Sequence, residues 1–113
     1  MERIAQQAFL YDFYGELLTD HQKQVYEELV LNDMSLSEIA EEFGISRQGV
    51  HDLIRRCDRI LEGYESKLHL IERFRQTRQD AEKIRDLCLN SDRHPEERLD
   101  EIRRIAERLM EEL

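Results

Sequence analysis

The sequence predicts an all-α fold, and three observations carry that prediction. Its 113 residues contain one Pro, four Gly and no Trp, so helix breakers are scarce. Charged residues make up 38% of the chain and hydrophobic ones 40%, a balance rich in Glu, Arg and Leu that suits amphipathic helices. Apolar side chains recur at steps of three and four along most of the chain, the period of a helix with a buried face. At this length one modest core is expected.

The elements follow in order. Ile4, Ala5, Ala8, Phe9, Tyr11, Phe13, Tyr14, Leu17 and Leu18 mark a first helix, buried on more than one side. Thr19-Asp20 offers an N-cap for a second helix from about Asp20 to Leu31, with Val25, Tyr26, Leu29 and Val30 inside and a turn at Asn32-Asp33. Ser35 and Glu38 form an S-x-x-E capping box, in which hydroxyl and carboxylate each satisfy a free backbone N–H, so a third helix starts there with Ile39, Ala40 and Phe43 on its inner face. Gly44 suits a left-handed helix end, Ile45 plugs the turn, and Ser46 caps a fourth helix with Val50, Leu53 and Ile54 inside.

Beyond these, Cys57, Leu61, Tyr64, Leu68 and Ile71, then Phe74, Ala81, Ile84, Leu87 and Cys88, continue the period as a long helix with a coiled-coil-like seam. The expected break or bend lies between Gly63 and Lys67. Asn90 to Pro95 is the clearest punctuation in the chain. Pro95 opens a last helix with Glu96 and Glu97 in its first turn and Leu99, Ile102, Ala106, Leu109 and Leu113 along its seam. Residues 1–66 are expected to form a helix plus a helix-turn-helix head, and residues 67–113 a helical extension that assembles a homodimer, all in one folded unit.

The third and fourth helices carry the informative motif. A helix-turn-helix needs a small residue where the helices touch, a Gly at the turn and apolar side chains on both facing sides. Ala40, Gly44 and the set Leu36, Ile39, Phe43, Ile45, Val50 and Leu53 supply all of these without a gap. In such a unit the second helix enters the major groove, its N-terminal residues facing base edges. Arg47 suits a guanine edge and Gln48 an adenine edge, with His51 beside them as a third base-reading candidate. Ser46, with the free amides of the helix start, and Arg55, Arg56 and Arg59 suit phosphates. Asp52 faces the same way and repels phosphate unless Arg55 or Arg56 pairs with it.

The run from Leu18 to Arg56 resembles region 4 of bacterial sigma factors, with Ile45-Ser46-Arg47 at the head of the reading helix. It departs from that pattern at His51-Asp52, where small or basic residues are common. The whole chain, residues 1 to 113, resembles the small YlxM family of Firmicutes. That resemblance implies an all-helical, winged-helix-like or sigma-like DNA-binding protein, encoded beside the signal recognition particle GTPases and regulating or assisting that secretion pathway.

Charge sharpens the question of the partner. The formal net charge is −9, unfavourable for a polyanion. Residues 1–66 hold 6 basic and 14 acidic side chains and residues 67–113 hold 11 and 12, yet residues 47–59 are locally basic. Counterion release then gives a monomer weak, salt-sensitive DNA binding, so a two-fold dimer is nearly required. The alternative is a protein-interaction module that docks a signal recognition particle component without binding DNA. Arg73, Arg75, Arg78, Lys83 and Arg85 alternate with acids and form a solvated mixed face.

Other classes find no support in the residues. No metal-spaced cluster, Gly-rich phosphate loop or nucleophile with a base occurs, so neither an enzyme nor a bound cofactor is expected. His21, His51, His69 and His94 are scattered and suit solvent-facing or cap positions, and Cys57 and Cys88 suit free thiols on apolar helix faces. No apolar run spans a bilayer and no basic-then-apolar leader opens the chain, so a cytoplasmic protein without membrane contact is expected.

Overall fold

The structure is a computed structural model that describes residues 3–90 and 92–113. Among them lie α1 (Arg3–Tyr14), α2 (Asp20–Val30), α3 (Leu36–Phe43), α4 (Arg47–Leu68), α5 (Leu70–Leu89) and α6 (Pro95–Glu111), with a 3-10 turn at Gly15–Leu17 and no strand. The fold is all-α, with a helix-turn-helix head and a helical extension; a winged-helix-like β-hairpin is absent among the described residues. The chain divides into two compact units, Met1–Ile71 and Glu72–Leu113.

In the first unit, α1 to α4 surround one core built from Leu10, Tyr14, Leu18, Val25, Tyr26, Ile39, Val50, Ile54, Cys57 and Leu61. Local chemistry sets the helix ends. Thr19 and Gln22 form a capping box at α2, and Ser35 and Glu38 another at α3, each satisfying two amide donors that the helix leaves open. The backbone and hydroxyl hydrogen bonds of Ser35 hold the Glu38 carboxyl below the usual carboxylate range. Gly44 ends α3 at φ 68°, where a side chain would be strained.

A buried polar network ties α1, α2 and α4 together. Asp58 is almost fully buried and accepts from Tyr26 Oη at 2.6 Å, Gln7 Nε2 at 3.0 Å and Arg3 Nη2 at 2.9 Å. A buried carboxylate needs such partners to offset its lost hydration. In turn, burial and the Asp58 hydrogen bond push the Tyr26 phenol well above its ordinary range.

The break after the fourth helix falls later than the sequence suggests. Residues 63–67 stay helical, and α4 ends only at His69, which is left-handed at φ 56°. The cause is tertiary. Leu70 N donates to Tyr14 Oη at 3.2 Å, Ile71 N donates to Glu65 Oε1 at 3.0 Å, and Tyr14 Oη donates to the same oxygen at 2.5 Å. The first amide of α5 is therefore capped by a buried tyrosine from α1, which the local sequence cannot announce, and the second by Glu65 of α4, itself held by that tyrosine.

The second unit is a hairpin of the remainder of α5 with α6. His94 caps α6, its Nδ1 accepting from Glu96 N at 3.2 Å, and Pro95 takes the first helical position. Arg98 Nη1 donates to the Leu87 carbonyl at 3.1 Å, and Arg108 pairs with the fully buried Asp80. Leu87 and Ile105 are its buried apolar residues. The expected α6 seam is displaced: Ile105 is buried, while Leu99 is 65% exposed and Leu113 fully exposed. Cys57 is buried, whereas Cys88 is exposed rather than set in an apolar face.

Candidate nucleic-acid interface

The helix-turn-helix is α3 and the first turns of α4. Ile39 and Val50 are fully buried and Ala40 nearly so, which lets the two helices approach across the Gly44 turn. Ile45 N closes that turn on Ala40 O at 3.1 Å. Ser46 then caps α4, its Oγ accepting from Gly49 N at 2.9 Å. That bond occupies the hydroxyl oxygen as acceptor and leaves its proton and the first α4 amides facing solvent, the usual arrangement for an anion at a helix start.

Gln48, Asp52, Arg55 and Arg59 follow one another at steps of four, three and four, so they share one exposed face of α4. Arg47 and Arg56 are exposed on its flanks. Of the six cations in residues 1–66, Arg3 pairs with Asp58 and Lys23 with Glu16. Arg47, Arg55, Arg56 and Arg59 make no hydrogen bond or ion pair among the described residues. Every unpaired cation of the head therefore sits on α4, in a chain of formal net charge −9.

The structure corrects the expected partner of Asp52. Neither Arg55 nor Arg56 pairs with it. Gln48 Nε2 donates to Asp52 Oδ1 at 3.0 Å, and His51 Nδ1 lies 3.8 Å from the same oxygen. The i, i+4 amide–carboxylate pair forms because both side chains are short and already face each other along one helix ridge, whereas the longer arginines extend into water. His51 is half-buried and turned toward α1, beside Arg3, Ile4 and Gln7. The seven predicted site residues thus share the first four turns of α4 and its cap, but His51 stands at the edge of the exposed face.

What the sequence missed is the support beneath this face. Asp58 lies on the inner side of the same helix, and its partners from α1 and α2 fix how α4 is held. No motif marks it; its only signal is an acid at a position where the helical period calls for an apolar residue.

Geometry of this kind defines a helix-turn-helix protein with a basic exposed helix. Comparison with known proteins agrees. Residues 1–102 match the family described as "Putative helix-turn-helix protein, YlxM / p13 like". A UPF0122 protein of Bacillus mycoides is 38% identical over 109 residues, covering 96% of this chain and 98% of that protein. One from a Thermoanaerobacter species is 43% identical over 105 residues, covering 88% and 90%. Another, from Caldanaerobacter subterraneus subsp. tengcongensis, is 49% identical over 77 residues, covering 68% and 66%. The chain belongs to this UPF0122 family, which is described as a helix-turn-helix family. No helix among the described residues is long and apolar enough to cross a membrane.

Proposed function

We propose that the chain binds duplex DNA through α4 as a regulatory protein, with Arg47 and Gln48 facing bases, His51 reaching them only from the edge of that face, and Ser46, Arg55, Arg56 and Arg59 facing phosphates. The observation that carries this reading is that all four unpaired cations of the head project from the helix that the fold would place in the major groove. Guanidinium groups free of carboxylates keep their fork available for a guanine edge or a phosphate. Gln48 reads adenine only after releasing Asp52, which lowers the net gain of that contact. With a net charge of −9, binding is weak and salt-sensitive in the monomer.

A homodimer formed through residues 72–113 doubles the phosphate contacts and supplies two reading helices at about one DNA turn, roughly 34 Å. The apolar side chains left exposed on α6, Leu99 at 65% and Met110 at 71%, support that use of the hairpin. The likeness to the YlxM family supports a regulated process connected with the signal recognition particle pathway.

Asp52, exposed in the middle of the α4 face, favours a second reading in which this surface docks a signal recognition particle component and no DNA. Fluorescence anisotropy with duplexes of defined sequence separates the two. Under the DNA reading, Arg47→Ala narrows the gap between preferred and random duplex by about 1–3 kcal/mol, while Arg56→Ala weakens both equally and lowers the salt slope by about 1. Equal, sequence-independent losses for both variants contradict base reading by Arg47. Retained capture of the protein partner by an Arg47→Ala, Gln48→Ala double variant that no longer holds DNA would favour docking through other residues.

A further inference from the structure

Asp52 is the one acid in the first three turns of α4, and Arg47, Arg55 and Arg56 are exposed around it. Its side chain is 62% exposed. None of those arginines neutralises it. Oδ1 accepts from Gln48 Nε2 at 3.0 Å, and Oδ2 has no partner among the described residues. The Gln48 bond thus restrains the carboxylate without using its second oxygen. A free carboxylate in the middle of a cationic face is unfavourable toward phosphate, so on a DNA-binding surface it needs a donor of its own.

Helix geometry limits what that donor can be. Gln48 and Asp52 stand one turn apart on a single exposed face, and Arg55 and Arg59 continue it toward the C-terminus of α4. In the docking of a helix-turn-helix the N-terminal turns of the second helix meet base edges, and Asp52 lies in the second turn. The groove edges then exclude three of the four bases. An ionised carboxylate only accepts hydrogen bonds. Guanine presents the acceptors N7 and O6, and thymine presents O4 beside a methyl group. Adenine sets its N6 amine next to the N7 acceptor, a pattern suited to an amide. Cytosine alone offers an amine, N4, with no acceptor of its own beside it.

We propose that Asp52 is a specificity-determining residue that selects cytosine, its Oδ2 accepting from the N4 amine in the major groove. The inference rests on the DNA reading given above. Oδ1 stays with Gln48 during that contact, so cytosine is read without the release that adenine reading by Gln48 requires. The acid also discriminates by repulsion. Guanine or thymine at that base pair sets an acceptor against a carboxylate, an uncompensated clash that a neutral side chain does not impose. Arg55 and Arg56, three and four residues on, offset the cost of the acid by holding phosphates rather than by pairing with it.

The test is selection of bound duplexes from a random library by the full chain, with sequencing, for the wild type, Asp52→Asn and Asp52→Ala. Fluorescence anisotropy on the wild-type consensus and its single-base-pair variants then gives the affinities. The exposed position tolerates both changes, so the melting curves should match. The wild type should prefer cytosine at one base pair by about tenfold or more. Both variants should lose that preference while keeping the guanine chosen by Arg47. In Asp52→Asn adenine should take the place of cytosine, because an amide accepts from N6 and donates to N7. A cytosine preference that survives in both variants would overturn the proposal and leave the DNA reading standing. So would a gain in affinity shared equally by all duplexes, since Asp52 would then only repel phosphate. A wild type that enriches no sequence at all would overturn the DNA reading itself and the proposal with it.

Discussion

The two units of this chain solve the problem of burial in opposite ways. Residues 3–71 close four helices on a shared core, with Tyr14, Tyr26, Ile39, Val25, Val50, Cys57 and Leu61 all under 2% exposed. Residues 72–113 bury Leu87 and Ile105, rely on the Asp80–Arg108 pair, and leave Phe74, Leu89, Leu99, Met110 and Leu113 open. The first holds α4, the exposed helix of the helix-turn-helix, against a closed core. The second has the composition of an amphipathic hairpin whose apolar side still has area to cover.

One thiol lies in each unit, which gives the sharpest contrast. Burial pushes the Cys57 thiol up to about 11, so at neutral pH it holds about a hundredfold less thiolate than an ordinary thiol, before its inaccessibility is counted. Cys88 is exposed. Iodoacetamide followed by mass spectrometry should therefore modify Cys88 alone in the native protein and both residues in urea. Equal native labelling would mean that the head opens as readily as the hairpin.

The buried carboxylates come next. Asp58→Ala strips the partner from Tyr26, Gln7 and Arg3 at once and should lower the stability of the head by about 3–5 kcal/mol, read as a fall in the urea midpoint. Asp80→Ala frees Arg108, whose side chain is already 44% exposed, so that guanidinium hydrates and the loss should stay near ~1 kcal/mol. Equal losses at the two sites would erase the distinction between a core network and a marginal pair.

The smallest effect is the pH dependence of the α3 cap. The Glu38 carboxyl is held below its ordinary range in the folded chain, first by the backbone amide of Ser35. A group depressed on folding contributes its stability above the unfolded carboxylate value and loses it as pH falls through the lower folded value. The difference in urea midpoint between the wild type and Glu38→Gln should thus be largest near neutral pH and shrink on acidification. A difference that grows as pH falls would contradict the capping role.

Legibility in the sequence tracks the range of the interactions. The S-x-x-E box at Ser35, the left-handed Gly44, the Ser46 cap and Pro95 at the start of α6 are all set by neighbours within a few residues, and each stands where its local chemistry places it. The end of α4 does not. The period of Leu61, Tyr64, Leu68 and Ile71 runs through His69 without interruption, and the buried Tyr14, more than fifty residues upstream, acts with Glu65 to take the amides exposed at the break. The candidate reading residues were nameable from the motif, because helix geometry fixes which positions face outward. The Gln48–Asp52 bond was within reach of the i, i+4 rule, yet the arginines offered a competing choice on charge alone. Asp58 and Gln7 were beyond reach, since their meeting depends on α1 crossing α4.

The central claim is that the unpaired arginines of α4 serve DNA despite the acidic chain. Its most direct test is capture of the source organism's fragmented genomic DNA on the purified protein, at low and at near-physiological salt, with sequencing of what is retained. Each phosphate contact adds to the salt slope, so non-specific retention should fall by roughly 10³-fold or more while true sites persist. The account predicts a few recovered sites with paired half-sites at physiological salt. Retention of nothing, even at low salt, would contradict it and assign the α4 surface to a protein partner.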